Sequence, residues 1–159
     1  MAEIRGELAA VGRIAIVVSR YHERVTLRLL EGARRCCALA AIPDECVDVV
    51  WVPGAFELGA AAAALARTGR YAALVALGAV VRGETPHFEF VAGEATRALG
   101  AIARALPVPV GFGLLTVDTL QQALDRAGGP AGNKGFEAAE AAIRTADVLR
   151  RIGEHDPPA

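Results

Sequence analysis

The sequence predicts a three-layer α/β sandwich, a parallel sheet with helices on both faces. Four short, nearly continuous apolar runs alternate with longer segments of helical periodicity from one end of the chain to the other, which is the rhythm of repeated βα units. Each crossover between apolar runs exceeds the roughly dozen residues that a parallel connection needs, and none resembles a two-residue hairpin turn.

Residues 13–19 are apolar almost without a break, as expected of a strand covered on both faces. Residues 23–40 follow with Val25, Leu29, Ala33, Cys36 and Ala40 at helical spacing. Residues 46–52 form the second strand, stopped by Pro53-Gly54. The alanine-rich stretch 56–67 forms the second helix, since alanine has the best intrinsic helix propensity. Residues 71–81 give the third strand, 86–106 the third helix and 108–115 the fourth strand. A short helix over about 119–126 leads into Gly128-Gly129-Pro130, and a last helix over about 134–151 closes the fold. Right-handed crossovers between these strands give a sheet of flavodoxin-like type. The chain reads as one domain over residues 1–159, with an N-terminal arm at 1–11 and a frayed tail at 154–159.

Composition narrows the function classes. The 159 residues carry 17 basic and 18 acidic side chains, a net charge of −1, which argues against a nucleic-acid binder. Hydrophobic residues reach 53% with a mean hydropathy of +0.35, so part of the surface is expected to lie against another subunit. No apolar run approaches the ~20 residues that span a bilayer, and the N-terminus lacks a basic-then-apolar export pattern. A cytoplasmic, homo-oligomeric protein without a membrane partner is expected. Cys36, Cys37 and Cys46 have no metal-like spacing and read as reduced core thiols.

Ligands of open parallel sheets bind outside the carboxyl ends of the strands, so the four strand-to-helix junctions hold the candidate residues. The first contains Tyr21-His22, an aromatic and an imidazole where a small polar cap would have sufficed: either a stacking platform, or a locally packed Tyr21 beside a His22 solvated at the helix start. The second, Pro53-Gly54-Ala55-Phe56-Glu57, presents free amides at a helix start, although Glu57 also suits the helix dipole without any further role. The third, Arg82-Gly83-Glu84-Thr85-Pro86-His87-Phe88, places Thr85 at an N-cap and Pro86 at the first helical position. Open amides at Gly83, Glu84 and Thr85 would cradle an anion. His87, at the positive end of the helix, is then a neutral general base or a structural capping residue. The fourth holds Gly111-Phe112-Gly113, with Phe112 either reaching out of the strand end or buried. Beyond it come Arg126 and Lys134. Lys134 is the only lysine among the basic residues, a mobile point charge for phosphate or a solvated helix start. Nucleotide loops, a dinucleotide fingerprint, a nucleophile elbow and a metal cluster are all missing from the sequence. The remaining features suit a metal-free site for a planar substrate meeting a phosphorylated one.

Taken together, Pro53-Gly54-Ala55-Phe56-Glu57, the run from Leu77 to Phe88, and Gln122 to Gly128 followed by Asn133-Lys134-Gly135 resemble the 6,7-dimethyl-8-ribityllumazine synthases of riboflavin biosynthesis. The resemblance runs collinearly from about Gly12 to Arg151. It implies condensation of 5-amino-6-ribitylaminouracil with 3,4-dihydroxy-2-butanone 4-phosphate, releasing phosphate and water, without a cofactor. It also implies roles. Tyr21 would stack on the pyrimidine, while Ala55, Phe56 and Glu57 hold the ring and the ribityl chain and Val80 and Val81 touch the heterocycle. Gly83, Glu84, Thr85 and Arg126 would bind the phosphate with Lys134 nearby, and His87 would move protons. Phe112, Arg126 and Lys134 would face the active site of a neighbouring subunit in a pentameric ring, and a hollow icosahedral shell of pentamers is the assembly favoured. Tyr21-His22 departs from the commoner phenylalanine or tryptophan with a small polar neighbour, and Pro130 from a lysine common in shell-forming members. The rival readings are a carrier that binds a lumazine or flavin without turnover, and a mainly structural shell.

Overall fold

Four parallel strands, β1 (Ile14–Ser19), β2 (Val47–Val52), β3 (Ala73–Val81) and β4 (Val110–Val117), lie in the order β2-β1-β3-β4. The computed structural model describes residues 1–155 of the chain. Five α-helices connect and cover the sheet: α1 (Glu23–Leu39), α2 (Leu58–Arg67), α3 (His87–Ala105), α4 (Leu120–Asp125) and α5 (Lys134–His155).

The alternation of side chains across β1 explains its unbroken apolar sequence. Ile14, Ile16 and Val18 pack with Val25, Leu29 and Cys36 of α1, with Ala123 of α4, and with Ala139 and Ile143 of α5. Ala15 and Val17 point to the opposite layer, where Leu58 and Ala62 of α2 meet Ala95, Leu99 and Ile102 of α3. A strand buried on both faces has no solvent side on which to place polar residues. The flavodoxin-like three-layer arrangement follows from that burial.

Several boundaries differ from the sequence-based expectation. The fourth strand begins at Val110 and runs to Val117, two residues later than expected at each end. Pro107 and Pro109 lack the N–H that a ladder needs, and β3 uses Pro109 only through its carbonyl, which accepts from the Leu74 amide at 2.9 Å. Gly111-Phe112-Gly113 therefore lies inside the strand, opposite Val75, Ala76 and Leu77, and not at its carboxyl end. The glycines serve packing. A Cβ on Gly111 would run into the main chain of Ala138 in α5, and one on Gly113 would strike Leu77.

Helix α3 starts at His87, with Pro86 as its cap residue and no side-chain cap, so the expected Thr85 cap does not form. The third strand starts at Ala73, leaving Tyr71 just ahead of it, where its hydroxyl donates to Asp48 at 2.8 Å. Helix α2 is preceded by a separate 3₁₀ turn, Ala55–Glu57. The Gly128-Gly129-Pro130 segment belongs to a small antiparallel hairpin, β5 (Ala127–Gly129) and β6 (Gly132–Asn133). Gly128 and Gly132 take positive φ there, a conformation that favours glycine.

Helix α5 continues to His155, past the expected end at Arg151. Its last turn gains ion pairs from Arg150 to Asp147 and Glu154. Glu154 and His155 are thus helical, and residues 156–159 of the expected tail lie outside the described residues. The N-terminal arm docks on the same helix: Arg144 donates to the Gly6 carbonyl at 3.1 Å and the Glu7 amide donates to Asp147 at 2.9 Å. Asp147 is buried. The Glu7 amide, then Arg150 and Arg151, hold its carboxyl down at about 2 against the opposing effect of burial.

Cys36 and Cys37 are buried, whereas Cys46 is only half-buried at the entrance to β2. Burial, followed by the neighbouring Cys37 thiol, pushes Cys36 up to about 12, and burial pushes Cys37 up to about 11.

Candidate active site

The chain order reverses between β1 and β3, and a cleft of about 420 Å³ opens there at the carboxyl ends of the strands. A topological switch point of this kind is where parallel sheets bind ligands, because the two flanking loops diverge to opposite faces. Three loops build the cleft.

The first loop is pinned to the second. The Arg20 and Tyr21 amides donate to the carbonyls of Val52 and Pro53 at 2.8 and 3.0 Å. Tyr21 is 69% exposed and lines the cleft together with His22. His22 is left-handed, with φ 58° and ψ 47°, and gives α1 no side-chain cap. Forgoing a good cap costs about 1 kcal/mol, and a left-handed non-glycine residue costs a further 1–2 kcal/mol or so.

The second loop contributes Gly54, Ala55, Phe56 and Glu57. Gly54 is fully extended, and its carbonyl accepts from the Glu57 amide as the chain tightens into the 3₁₀ turn. The turn buries Ala55 and leaves Phe56 and Glu57 outside, with Phe56 58% exposed.

The third loop leaves β3 through Val80 and Val81, which line the cleft along with Gly83, Thr85 and His87. Glu84 sits on the same exposed loop without lining the cleft. The amides of Gly83, Glu84 and Thr85 donate to no other group among the described residues, and all three residues are exposed beside the start of α3. His87 is exposed in the first turn, and its ring has no hydrogen-bond partner among the described residues. Arg82 clips this loop in place: its side chain bonds Asp118 at 2.8 Å, reaches Glu89 at 3.8 Å, and lies over the Phe88 ring.

Phe112, Arg126 and Lys134 are not in this cleft. They line a second depression of about 270 Å³ along β4, which forms one edge of the sheet. Phe112 is 50% exposed because it projects from that edge strand. Arg126 ends α4 and donates to the Gln122 carbonyl at 3.0 Å, and its own carbonyl accepts the Lys134 amide at 2.8 Å. Asn133 caps α5 through the amides of Gly135 and Phe136, which fixes Lys134 as the first helical residue. Lys134 pairs with Glu137 at 3.0 Å, so the expected mobile cation is held by a carboxylate in this state. The candidate residues fall in two separate places: an aromatic, carboxylate and imidazole cleft, and a cationic depression on the sheet edge.

Residues 12–150 match the profile of the 6,7-dimethyl-8-ribityllumazine synthase family. The chain belongs to that family. It is 50% identical over 154 residues to the 6,7-dimethyl-8-ribityllumazine synthase of Edwardsiella ictaluri (strain 93-146), an alignment covering 96% of this chain and 99% of that protein. The lumazine synthase fold thus brings together nine of the expected cleft residues, from Tyr21 to His87. Two cleft features escaped the sequence reading. The left-handed turn at His22 is one, because histidine is enriched at positive φ among non-glycine residues but too weakly for its presence to place such a turn. Arg82 was visible in the motif, but its partner Asp118 lies 36 positions away. Among the described residues no group of three or more His, Cys, Asp or Glu is arranged to hold a metal ion, and no helix is long and apolar enough to cross a membrane.

Proposed function

We propose that the chain condenses 5-amino-6-ribitylaminouracil with 3,4-dihydroxy-2-butanone 4-phosphate to 6,7-dimethyl-8-ribityllumazine, releasing phosphate and water in the penultimate step of riboflavin biosynthesis. The observation that carries this reading is the switch-point cleft, where an aromatic ring, a carboxylate, an imidazole and open amides converge in a chain of the lumazine synthase family.

Tyr21 is assigned the stacking surface for the pyrimidine, with Val80 and Val81 beneath the heterocycle. Ala55, Phe56 and Glu57 hold the ring and the ribityl hydroxyls, Glu57 as an acceptor. The Gly83, Glu84 and Thr85 amides receive the phosphate at the positive end of α3. Attack of the 5-amino group on the ketone with loss of water, elimination of phosphate, and ring closure with loss of a second water all need protons moved. His87 is assigned to that work, which typically contributes about 10²–10⁴-fold. Holding the two substrates in one cleft supplies much of the remaining acceleration.

Arg126 is assigned to the phosphate, with Lys134 beside it and Phe112 closing the cleft. In one chain these three residues lie along the β4 edge, so their roles call for a second copy that presents its β4 edge to the cleft of the first. The proposed assembly is a ring of five subunits with active sites between them, and a hollow icosahedral shell built from such rings. The exposed Phe56, Phe90 and Phe112 would be covered in that ring. The proposed location is the cytoplasm.

Mixing the purified protein with both substrates tests the activity directly. Lumazine fluorescence and free phosphate should appear together in equal amounts. Pyrimidine binding without phosphate release would identify a carrier instead.

A further inference from the structure

His22 combines features that an ordinary helix start does not need. Its backbone is left-handed, a region in which glycine is unstrained and in which most other residues clash. Its side chain leaves α1 uncapped. His22 instead lines the cleft, and its imidazole stands at 79° to the Tyr21 ring, with centroids 4.8 Å apart, a geometry favoured between aromatic rings. The chain on both sides is fixed: Arg20 and Tyr21 are bonded to the second loop, and the His22 carbonyl accepts the amides of Val25 and Thr26 at 2.8 and 3.1 Å. With its neighbours tied down, the turn at residue 22 sets the direction in which Tyr21 leaves the main chain. Strain retained in this way at a binding cleft marks a functional constraint.

We propose that His22 is a positioning residue for the flat substrate. The left-handed turn aims Tyr21 across the cleft, and the imidazole, set edge-to-face against the phenol, holds it there as a stacking surface. Tyr21 is otherwise highly exposed, and ordering its ring in advance removes an entropy loss that binding would have to overcome. His22 thereby sets affinity for the heterocycle without taking part in proton transfer. This inference rests on the assignment of the condensation and of Tyr21 as its stacking residue.

Three variants of the full chain separate the backbone from the ring. His22→Gly and His22→Asn keep access to the left-handed turn and lose the imidazole, whereas His22→Ala loses both. The expected result is a rise of about 3- to 10-fold in KM for 5-amino-6-ribitylaminouracil in all three, the size of an aromatic-pair contribution. The kcat and the KM for the four-carbon phosphate should stay within about twofold of the parent. His22→Gly and His22→Asn should melt above His22→Ala, so stability and pyrimidine affinity part company across the series. A His22→Gly variant with the parental pyrimidine KM would overturn the proposal, as would a KM that simply follows melting temperature. A parent protein that binds both substrates without condensing them would remove the assigned reaction, and the proposal with it.

Discussion

Complementation between two impaired variants is the sharpest consequence of the split candidate site. His87 lines the cleft at the switch point, while Arg126 lines the depression on the β4 edge. If working sites form between subunits, each needs His87 from one chain and Arg126 from the next. His87→Ala should lower turnover by about 10² or more through lost proton transfer. Arg126→Ala should lower kcat/KM for the phosphorylated substrate by about 10- to 100-fold, the effect of one charge-assisted hydrogen bond. Co-expressed in equal amounts, the two variants assemble at random. A site is intact only where an Arg126→Ala chain supplies the cleft and a His87→Ala chain the neighbouring edge, so about one quarter of sites recover in a closed ring of head-to-tail contacts. The assay is lumazine formation at low phosphate-substrate concentration, with subunit ratios read by mass spectrometry. A control co-expresses the parent with the doubly substituted chain. Shared sites again leave about one quarter active, whereas sites complete within one chain leave about half. Recovery no greater than the two variants give separately, together with half activity in the control, would refute the shared site.

Two further predictions concern the scaffold. Asp147 has its carboxyl depressed to about 2 by the Glu7 amide and by Arg150 and Arg151, so its contribution is fully present above the unfolded value of about 3.9 and is lost as pH falls toward 2. Asp147→Asn should therefore lower Tm at pH 7 and expose the N-terminal arm to proteolysis, with the gap from the parent narrowing between about pH 4 and pH 2; a gap that persists unchanged at pH 2 would contradict the assignment. Burial holds Cys36 up at about 12 and Cys37 at about 11, and the thiolate is the reactive form. A thiol-reactive disulfide reagent at pH 8 should thus reach at most Cys46 in the native protein, and all three cysteines only in denaturant; rapid reaction at Cys36 or Cys37 would contradict their burial.

The legible part of the fold was the part set by local pattern. Ile14 to Val18 reads as a buried strand because its apolar run is unbroken, and the order of βα units then places the cleft at the strand ends without further information. Phe112 shows where that logic stops. Its neighbouring glycines suggest room for the ring to reach out of the strand end, but they answer to Ala138 on α5 and Leu77 on β3, contacts that depend on strand order and on a helix some 25 residues away. Asp147 is similar: a lone aspartate on an amphipathic helix reads as solvated, and its partner at Glu7 is 140 positions distant. Helix α5 runs past Arg151 for a more local reason, since Arg150 pairs forward with Glu154 as well as back with Asp147.

For the site, residue types and junctions identified the cleft, and only the family resemblance separated Phe112, Arg126 and Lys134 from it. The physical cause of that separation is the position of β4. The parallel sheet directs all four strand ends to one side, which gathers Tyr21, Glu57 and His87. Edge placement of β4 then leaves the cations on the flank of the sheet beyond β3. A cleft at the switch point and a cationic flank at the sheet edge are different surfaces of the same chain, so pairing one with the other is a head-to-tail contact. Such contacts close into a ring when the rotation between neighbours divides the circle. Under the proposed function the pairing of substrates would be an assembly property: the cleft that would stack the heterocycle, move protons and cradle the phosphate on open amides belongs to one subunit, and the cations that would neutralise that phosphate would arrive with the next.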